Sequence, residues 1–341
     1  MTDRVLVTGV TGFIAAHITH RLLDKGYQVR GTVRNTEKAQ KVVKALAAKG
    51  ANTDNLELVE ANLTSDAGWA DAVKDCRFIQ HTASPFPAQA PKDREALVPA
   101  AKAGALRVLE HGLTAGAERI VLTSSIVAML GQAGKGRHMT LTEADWSDPE
   151  WKHMRAYPVS KTRAEQAAWD YVRGENIQDR LVTVNPGFVL GPDTYGNAGT
   201  SLKTVKAMMV GKIAKTSKVA YPVVDVRDCA DIHVAAMTAA QAGGRRLLAT
   251  ADTLWLKDYA DIIRQDYPSL TQLPTDELPN WLMRATSLFN EGAKGLAGSL
   301  GVFHDANSGY VTELTGITCR PAREAVLASA KSLIESGQVK T

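Results

Sequence analysis

Val5-Leu6-Val7-Thr8-Gly9-Val10-Thr11-Gly12-Phe13-Ile14-Ala15 runs from a β-branched stretch, through two glycines, into the start of an apolar helical repeat. Gly9 can take a backbone conformation closed to other residues. Gly12 leaves room for a pyrophosphate at the helix N-terminus, whose free N–H groups and dipole favour anions. Ala15 stands where helix and strand must pack closely, and Thr8, Thr11, Phe13 and Ile14 complete the candidate cofactor turn. Such a turn is weak evidence alone. Placed after the first strand of a strand-helix-strand unit, it reads as a dinucleotide site.

Working outward, β-branched runs alternate with helical periodicity: Gln28 to Arg34, a helix from Thr36 to Lys49, Leu56 to Glu60, a helix from Ala67 to Lys74, and Arg77 to His81. The rhythm continues with a helix from Ala96 to Gly116, Arg119 to Leu122, a helix from Tyr157 to Arg173, and Arg180 to Asn185. Six such repeats predict an α/β fold, a doubly wound parallel sheet of the Rossmann type. After Pro186 the rhythm breaks into a Gly, Pro and Asn-rich stretch, followed by a helix from Leu202 to Val210. Tyr221 to Asp225, a helix from Asp228 to Ala242, and Arg245 to Thr250 read as sheet-associated again. The expected division is therefore residues 1–186 as the dinucleotide-binding domain, with 225–252 returning to it. Residues 187–224 and 253–341 form a smaller, discontinuous substrate-binding region.

At the end of the second strand, where an NAD site carries an acid against the ribose hydroxyls, stands Arg34. A guanidinium suits a 2′-phosphate through paired, charge-assisted hydrogen bonds, so NADP(H) is favoured over NAD(H). Lys38, one helical turn later, adds a second candidate phosphate contact. Tyr157-Pro158-Val159-Ser160-Lys161 places a phenol and an ammonium on one helix face. The cation should lower the phenol's pKa toward neutrality, and Tyr157 could then give a proton to a carbonyl oxygen as hydride reaches carbon. Thr123-Ser124-Ser125 ends the preceding strand at the carboxyl edge, where such sheets bind ligands and a serine hydroxyl can polarise the same oxygen.

These motifs resemble the extended short-chain dehydrogenase/reductases, and within them the family of dihydroflavonol reductase, cinnamoyl-CoA reductase and the yeast and bacterial aldehyde/ketone reductases. The matching text is Val7 to Ala15, Gly31 to Arg34, His81-Thr82-Ala83-Ser84-Pro85, Leu122 to Ser125, Tyr157 to Lys161, Asn185-Pro186-Gly187-Phe188-Val189-Leu190-Gly191-Pro192 and Val224-Asp225-Val226-Arg227-Asp228. The resemblance implies a Ser-Tyr-Lys triad at Ser125, Tyr157 and Lys161, Ser125 being the second serine of its pair. It also implies that Lys161 binds the nicotinamide ribose, that Pro186, Gly187, Phe188 and Val189 flank the nicotinamide, and that Thr82, Ala83 and Ser84 pass beside ribose and diphosphate, near Thr123. Asn62-Leu63 stands where relatives commonly have Asp-Leu near the adenine, and Arg107 where extended members often carry Asn. The implied activity is NADPH-dependent reduction of an aldehyde or ketone.

Phe86, Ile126, Met129, Phe188 and Tyr195 are expected to line the substrate pocket with Ser125 and Tyr157. So apolar a lining suits an alkyl or aryl carbonyl better than a sugar nucleotide, whose diphosphate needs fixed positive partners. Two alternatives stand beside the reductase. A sugar-nucleotide epimerase or dehydratase is disfavoured by Arg34 and by serines where dehydratases carry acids; a non-catalytic NADPH-sensing regulator is disfavoured because Tyr157 and Lys161 are both present.

The remaining composition sets outer bounds. The chain has 341 residues, 40 Lys+Arg against 36 Asp+Glu, and a net charge of +4, too mild a bias to imply nucleic acid. With 45% hydrophobic and 22% charged residues it has the make-up of a globular protein, and no apolar run reaches bilayer length. Cys76, Cys229 and Cys319 are odd in number and widely spaced, which predicts free thiols. The histidines, including His17, His20 and His153, lie in no metal-binding pattern. The N-terminus passes into the first strand without a signal-peptide pattern, so the expected setting is cytoplasmic, as monomer or homodimer.

Overall fold

The computed structural model describes residues 3–85, 91–132, 136–289 and 291–340. Numbering the strands of its main sheet in chain order gives β1 (Arg4–Val7), β2 (Gln28–Val33), β3 (Leu56–Glu60), β4 (Phe78–His81), β5 (Arg119–Thr123), β6 (Leu181–Pro186) and β7 (Arg246–Ala249). They are all parallel, in the order β3-β2-β1-β4-β5-β6-β7. The order reverses between β1 and β4, and an open α/β sheet binds its ligands at that crevice.

Both faces of the sheet are covered, which is why β1, β4, β5 and β6 are buried along almost their whole length and carry Gln80, His81, Thr183 and Asn185 into the interior with their Val, Ile and Leu residues. The principal helices are α1 (Phe13–Asp24), α2 (Thr36–Ala48), α3 (Val98–Thr114), α4 (Ala156–Gly174), α5 (Thr200–Met209) and α6 (Val226–Thr238). On one face α1 and α6 bury Ile18, Leu22, Ile232 and Met237 against β1 and β6. On the other, α3 and α4 bury Val108, Leu109, Ala168 and Trp169 with Trp69. The stripe Val159, Lys161, Ala164, Glu165, Ala168 and Val172 of α4 faces inward, so the helix carries two ionisable side chains into the interior.

The segment Ala220–Asp225 is a strand, but not of the main sheet. It pairs parallel with Phe188–Leu190 and antiparallel with Thr253–Trp255 in a separate three-stranded sheet; the seventh main strand is Arg246–Ala249. A second apolar cluster around Leu190, Leu202, Val223 and Tyr259 backs this sheet and draws the strand away. Gly187 makes the junction: a Cβ there would lie 2.4 Å from the Pro222 carbonyl oxygen, a contact no other residue could make. Cys76 and Cys229 are buried and Cys319 half-buried, all as free thiols. No described helix is long and apolar enough to cross a membrane.

Candidate active site

A cavity of about 810 Å³ opens along the carboxyl edge of the sheet, from the glycine turn to the Phe188–Leu190 strand. At one end lie Gly9, Thr11, Gly12, Phe13 and Ile14. Gly9 has φ +64° and would press a Cβ to 3.0 Å from that of Ala83, so the turn requires glycine on both counts. Gly12 is the N-cap of α1 with no side-chain cap, and the first turn carries no acid, so the helix N-terminus faces the cavity as a bare set of donors. Asn197 clamps the turn from outside, donating its amide to the Thr11 and Gly12 carbonyls at 3.0 and 2.9 Å.

Thr8, grouped with this turn from the sequence, stands behind it. Its fully buried hydroxyl lies 2.8 Å from His81 Nδ1 and accepts from the Ala83 N–H at 3.0 Å, tying β1 to the β4 exit. Arg34 leaves the end of β2, exposed at the cavity wall, with no hydrogen-bond partner among the described residues. The side chain of Lys38 lies outside the described residues. Asn62 and Leu63 line the cavity across from Arg34, held by Arg107 of α3, whose guanidinium donates to the Leu63 carbonyl at 2.5 Å and pairs with Asp66. Thr82, Ala83 and Ser84 follow β4 along the floor.

At the other end Thr123, Ser124, Ser125 and Ile126 leave β5 while Tyr157 and Lys161 enter from the first turns of α4. The Tyr157 and Ser125 hydroxyls are hydrogen-bonded to each other, and Ser125 Oγ also accepts from the Val127 N–H at 3.3 Å. Ser124 is turned away: 5% exposed, it donates to the Glu165 carboxylate at 2.5 Å. The pair of serines is therefore distinguished by geometry, with Ser125 the one facing the phenol.

The expected fall of the Tyr157 pKa is not what the structure gives. Burial pushes the phenol above its ordinary value, and the Ser125 hydrogen bond only partly offsets this. The Lys161 ammonium is 3.1 Å from the Thr123 carbonyl oxygen, to which it donates, and burial lowers it to about 8 against the opposing pull of Glu165. A phenol in an apolar wall beside a neutral hydroxyl keeps its proton.

Pro186, Gly187, Phe188 and Val189 form the far wall, docked to the serine strand by the Ile126 N–H donating to the Pro186 carbonyl at 2.9 Å. Two pocket expectations fail. Met129 is wholly buried among Ile126, Leu141 and Leu248, because the turn Val127–Leu130 points Val127 and Leu130 at the cavity and Met129 away from it. Tyr195 packs on the outer side of α1, its hydroxyl 2.6 Å from His20 Nδ1 and its ring 4.8 Å from that of His17. Phe86 lies outside the described residues. Tyr221 supplies an aromatic wall that sequence reading missed, stacked on Phe188 at 4.9 Å and 13°. Its only signal was a tyrosine in a strand whose pairing partner could not be read locally.

Among the described residues no acidic side chain lines the cavity and no group of three or more His, Cys, Asp or Glu could hold a metal ion. A cradle that tolerates only glycine, a bare helix N-terminus and an exposed guanidinium fit a phosphorylated dinucleotide.

Comparison with known proteins adds independent findings. The model of the NAD dependent epimerase/dehydratase family matches residues 5–248. A cinnamoyl-CoA reductase of Medicago truncatula is 35% identical over 276 residues, covering 79% of this chain and 82% of the relative. The NADPH-dependent methylglyoxal reductase of Saccharomyces cerevisiae is 32% identical over 289 residues, covering 78% and 83%. The crystal structure of the yeast methylglyoxal/isovaleraldehyde reductase complexed with NADPH superposes with a TM-score of 0.80 at 26% identity, covering 98% of this chain and 100% of that one.

Proposed function

The chain belongs to the NAD dependent epimerase/dehydratase family, and from that premise we propose that it reduces an aldehyde or ketone to an alcohol at the expense of NADPH. The observation that carries this is the hydrogen-bonded Tyr157–Ser125 pair, set in one cavity with a glycine cradle and Arg34. In this proposal residues 1–186 with 225–252 hold the cofactor, and 187–224 with 253–341 form the substrate-binding region.

When bound, NADPH supplies the hydride for the carbonyl carbon. Tyr157, protonated because its wall is apolar, gives its proton to the carbonyl oxygen, and Ser125 holds that oxygen through its hydroxyl. Lys161 steadies the phenolate that results and holds the ribose. Arg34 and the N-terminus of α1 take the phosphates. Phe188, Tyr221, Ile126, Val127 and Leu130 exclude water around the carbonyl and select apolar or aromatic substrates. An acid-assisted elimination, as in a dehydratase, lacks a carboxylate among the described cavity residues.

The test is oxidation of NADPH and NADH in the presence of aldehydes, dicarbonyls, aryl ketones, β-keto esters and dihydroflavonols. NADPH consumption with members of the panel supports the proposal. Tight NADPH binding with no turnover across the panel overturns it.

A further inference from the structure

Behind the Ser125 and Tyr157 wall lies a carboxylate with no exposed side-chain surface. Glu165 sits one turn beyond Lys161 on the inward face of α4, and four donors converge on its two oxygens. Ser124 Oγ at 2.5 Å and Asn185 Nδ2 at 2.8 Å reach Oε2, while Thr183 Oγ1 at 3.1 Å and Arg246 Nε at 2.7 Å reach Oε1. Well-packed apolar side chains could fill the same space at no loss of stability, so the position of the charge is informative.

Two links run from Glu165 to the reacting groups. The Asn185 amide that donates to Glu165 also donates to the Ser125 carbonyl at 3.2 Å, so one side chain fixes both the carboxylate and the serine backbone. The second link is electrostatic. Burial lowers the Lys161 ammonium to about 8, and Glu165 is the group that opposes it. A void of about 20 Å³, the size of one water, is bounded by Lys161, Thr123, Ser124, Glu165 and His81.

The other titratable groups facing this pair are accounted for. His81 of β4 is held neutral, its pKa near 3, and Tyr157 keeps its proton. Arg246 of β7 lies on the far side of Glu165, stacked 3.7 Å over Trp146 and donating to the Glu143 and Asp145 carbonyls at 2.8 and 2.5 Å.

We propose that Glu165 is a positioning residue of the reductase site: its carboxylate keeps Lys161 an ammonium at neutral pH and, through Asn185, fixes Ser125 opposite Tyr157. It touches neither cofactor nor carbonyl, and it rests on the reductase function for the roles of the residues it holds.

The experiment is NADPH affinity by fluorescence titration from pH 6 to 10, with kcat/KM for NADPH in parallel, since both report groups of the free enzyme. Wild type should lose affinity above about pH 8 as Lys161 deprotonates. Glu165→Gln should move that limb about one pH unit toward acid, giving a roughly fivefold loss relative to wild type at pH 8 and less than about twofold at pH 6. Glu165→Asp, which keeps the charge, should leave the limb in place. A uniform loss at every pH, or an unmoved limb, makes Glu165 a structural residue and overturns the proposal. Should Glu165→Gln fail to melt cooperatively, the wild-type profile decides alone: no limb below about pH 9.5 overturns it. A shifted NADPH limb without carbonyl turnover in wild type would instead sink the reductase function and leave the control of Lys161 standing.

Discussion

Tyr157 keeps its proton because burial raises its pKa and the Ser125 hydroxyl only partly offsets this, and this makes it a donor ready for a carbonyl oxygen. Removing that hydroxyl in Tyr157→Phe should cut kcat by about 10²–10⁴-fold while NADPH affinity stays within a few-fold; turnover and titration together check this. Arg34 is decided at the same scale. Exposed at the cavity wall and without a described partner, it contributes charge and not packing. Arg34→Ala should weaken NADPH binding by roughly 10- to 100-fold and NADH binding by less than about twofold, and an equal loss for both would remove Arg34 from the 2′-phosphate. The types and spacing of Arg34, Tyr157 and Lys161 were legible because each follows a local pattern. Which serine faces the phenol was not, because Ser124 turns to Glu165, a residue 41 positions away.

Elements reach the cavity by contacts that no local pattern encodes. Arg107 of α3 reaches back to the turn after β3 and holds the Leu63 carbonyl beside the cavity. Arg107→Ala should speed amide exchange at residues 62–66 and weaken NADPH binding a few-fold, with little change in melting temperature; hydrogen exchange by mass spectrometry reads the difference. Gly187 does the reverse, letting two strands approach more closely than any side chain permits. Gly187→Ala should destabilise the protein by about 1–3 kcal/mol in denaturant melts and lower turnover, because Pro222 would have to withdraw and carry Tyr221 with it. The burial of Met129 away from the cavity that Val127 and Leu130 line belongs here too. One turn of helix, Val127–Leu130, sorts neighbours in sequence onto opposite sides.

Across the whole molecule, four histidines among the described residues are buried in neutral form, with pKa values lowered by burial to about 4 for His17, about 3 for His81, about 3 for His233 and about 4 for His304. In the unfolded chain each would accept a proton near pH 6.5, so the stability they allow is full above that pH and is lost as pH falls toward 4 and then 3. Each costs about 1.4 kcal/mol per pH unit across that window. Urea melts should therefore show stability falling by roughly 6 kcal/mol between pH 6.5 and 5. A flat profile over that range would mean that these rings are solvated.

Periodicity and turn chemistry in the sequence determined the strand-helix alternation, the glycine turn after β1, the basic residue after β2 and the phenol and ammonium one turn apart on α4. These features depend on residues within a few positions of one another. Tertiary structure alone decided which strands Ala220–Asp225 pairs with, that Tyr195 packs outside the cavity while Tyr221 enters it, and that burial raises the Tyr157 pKa. It also brought Ser124, Thr183, Asn185 and Arg246 around Glu165. The physical reason is range: backbone conformation and helical facing are set by near neighbours, whereas desolvation and strand pairing are set by atoms that only the folded chain brings together.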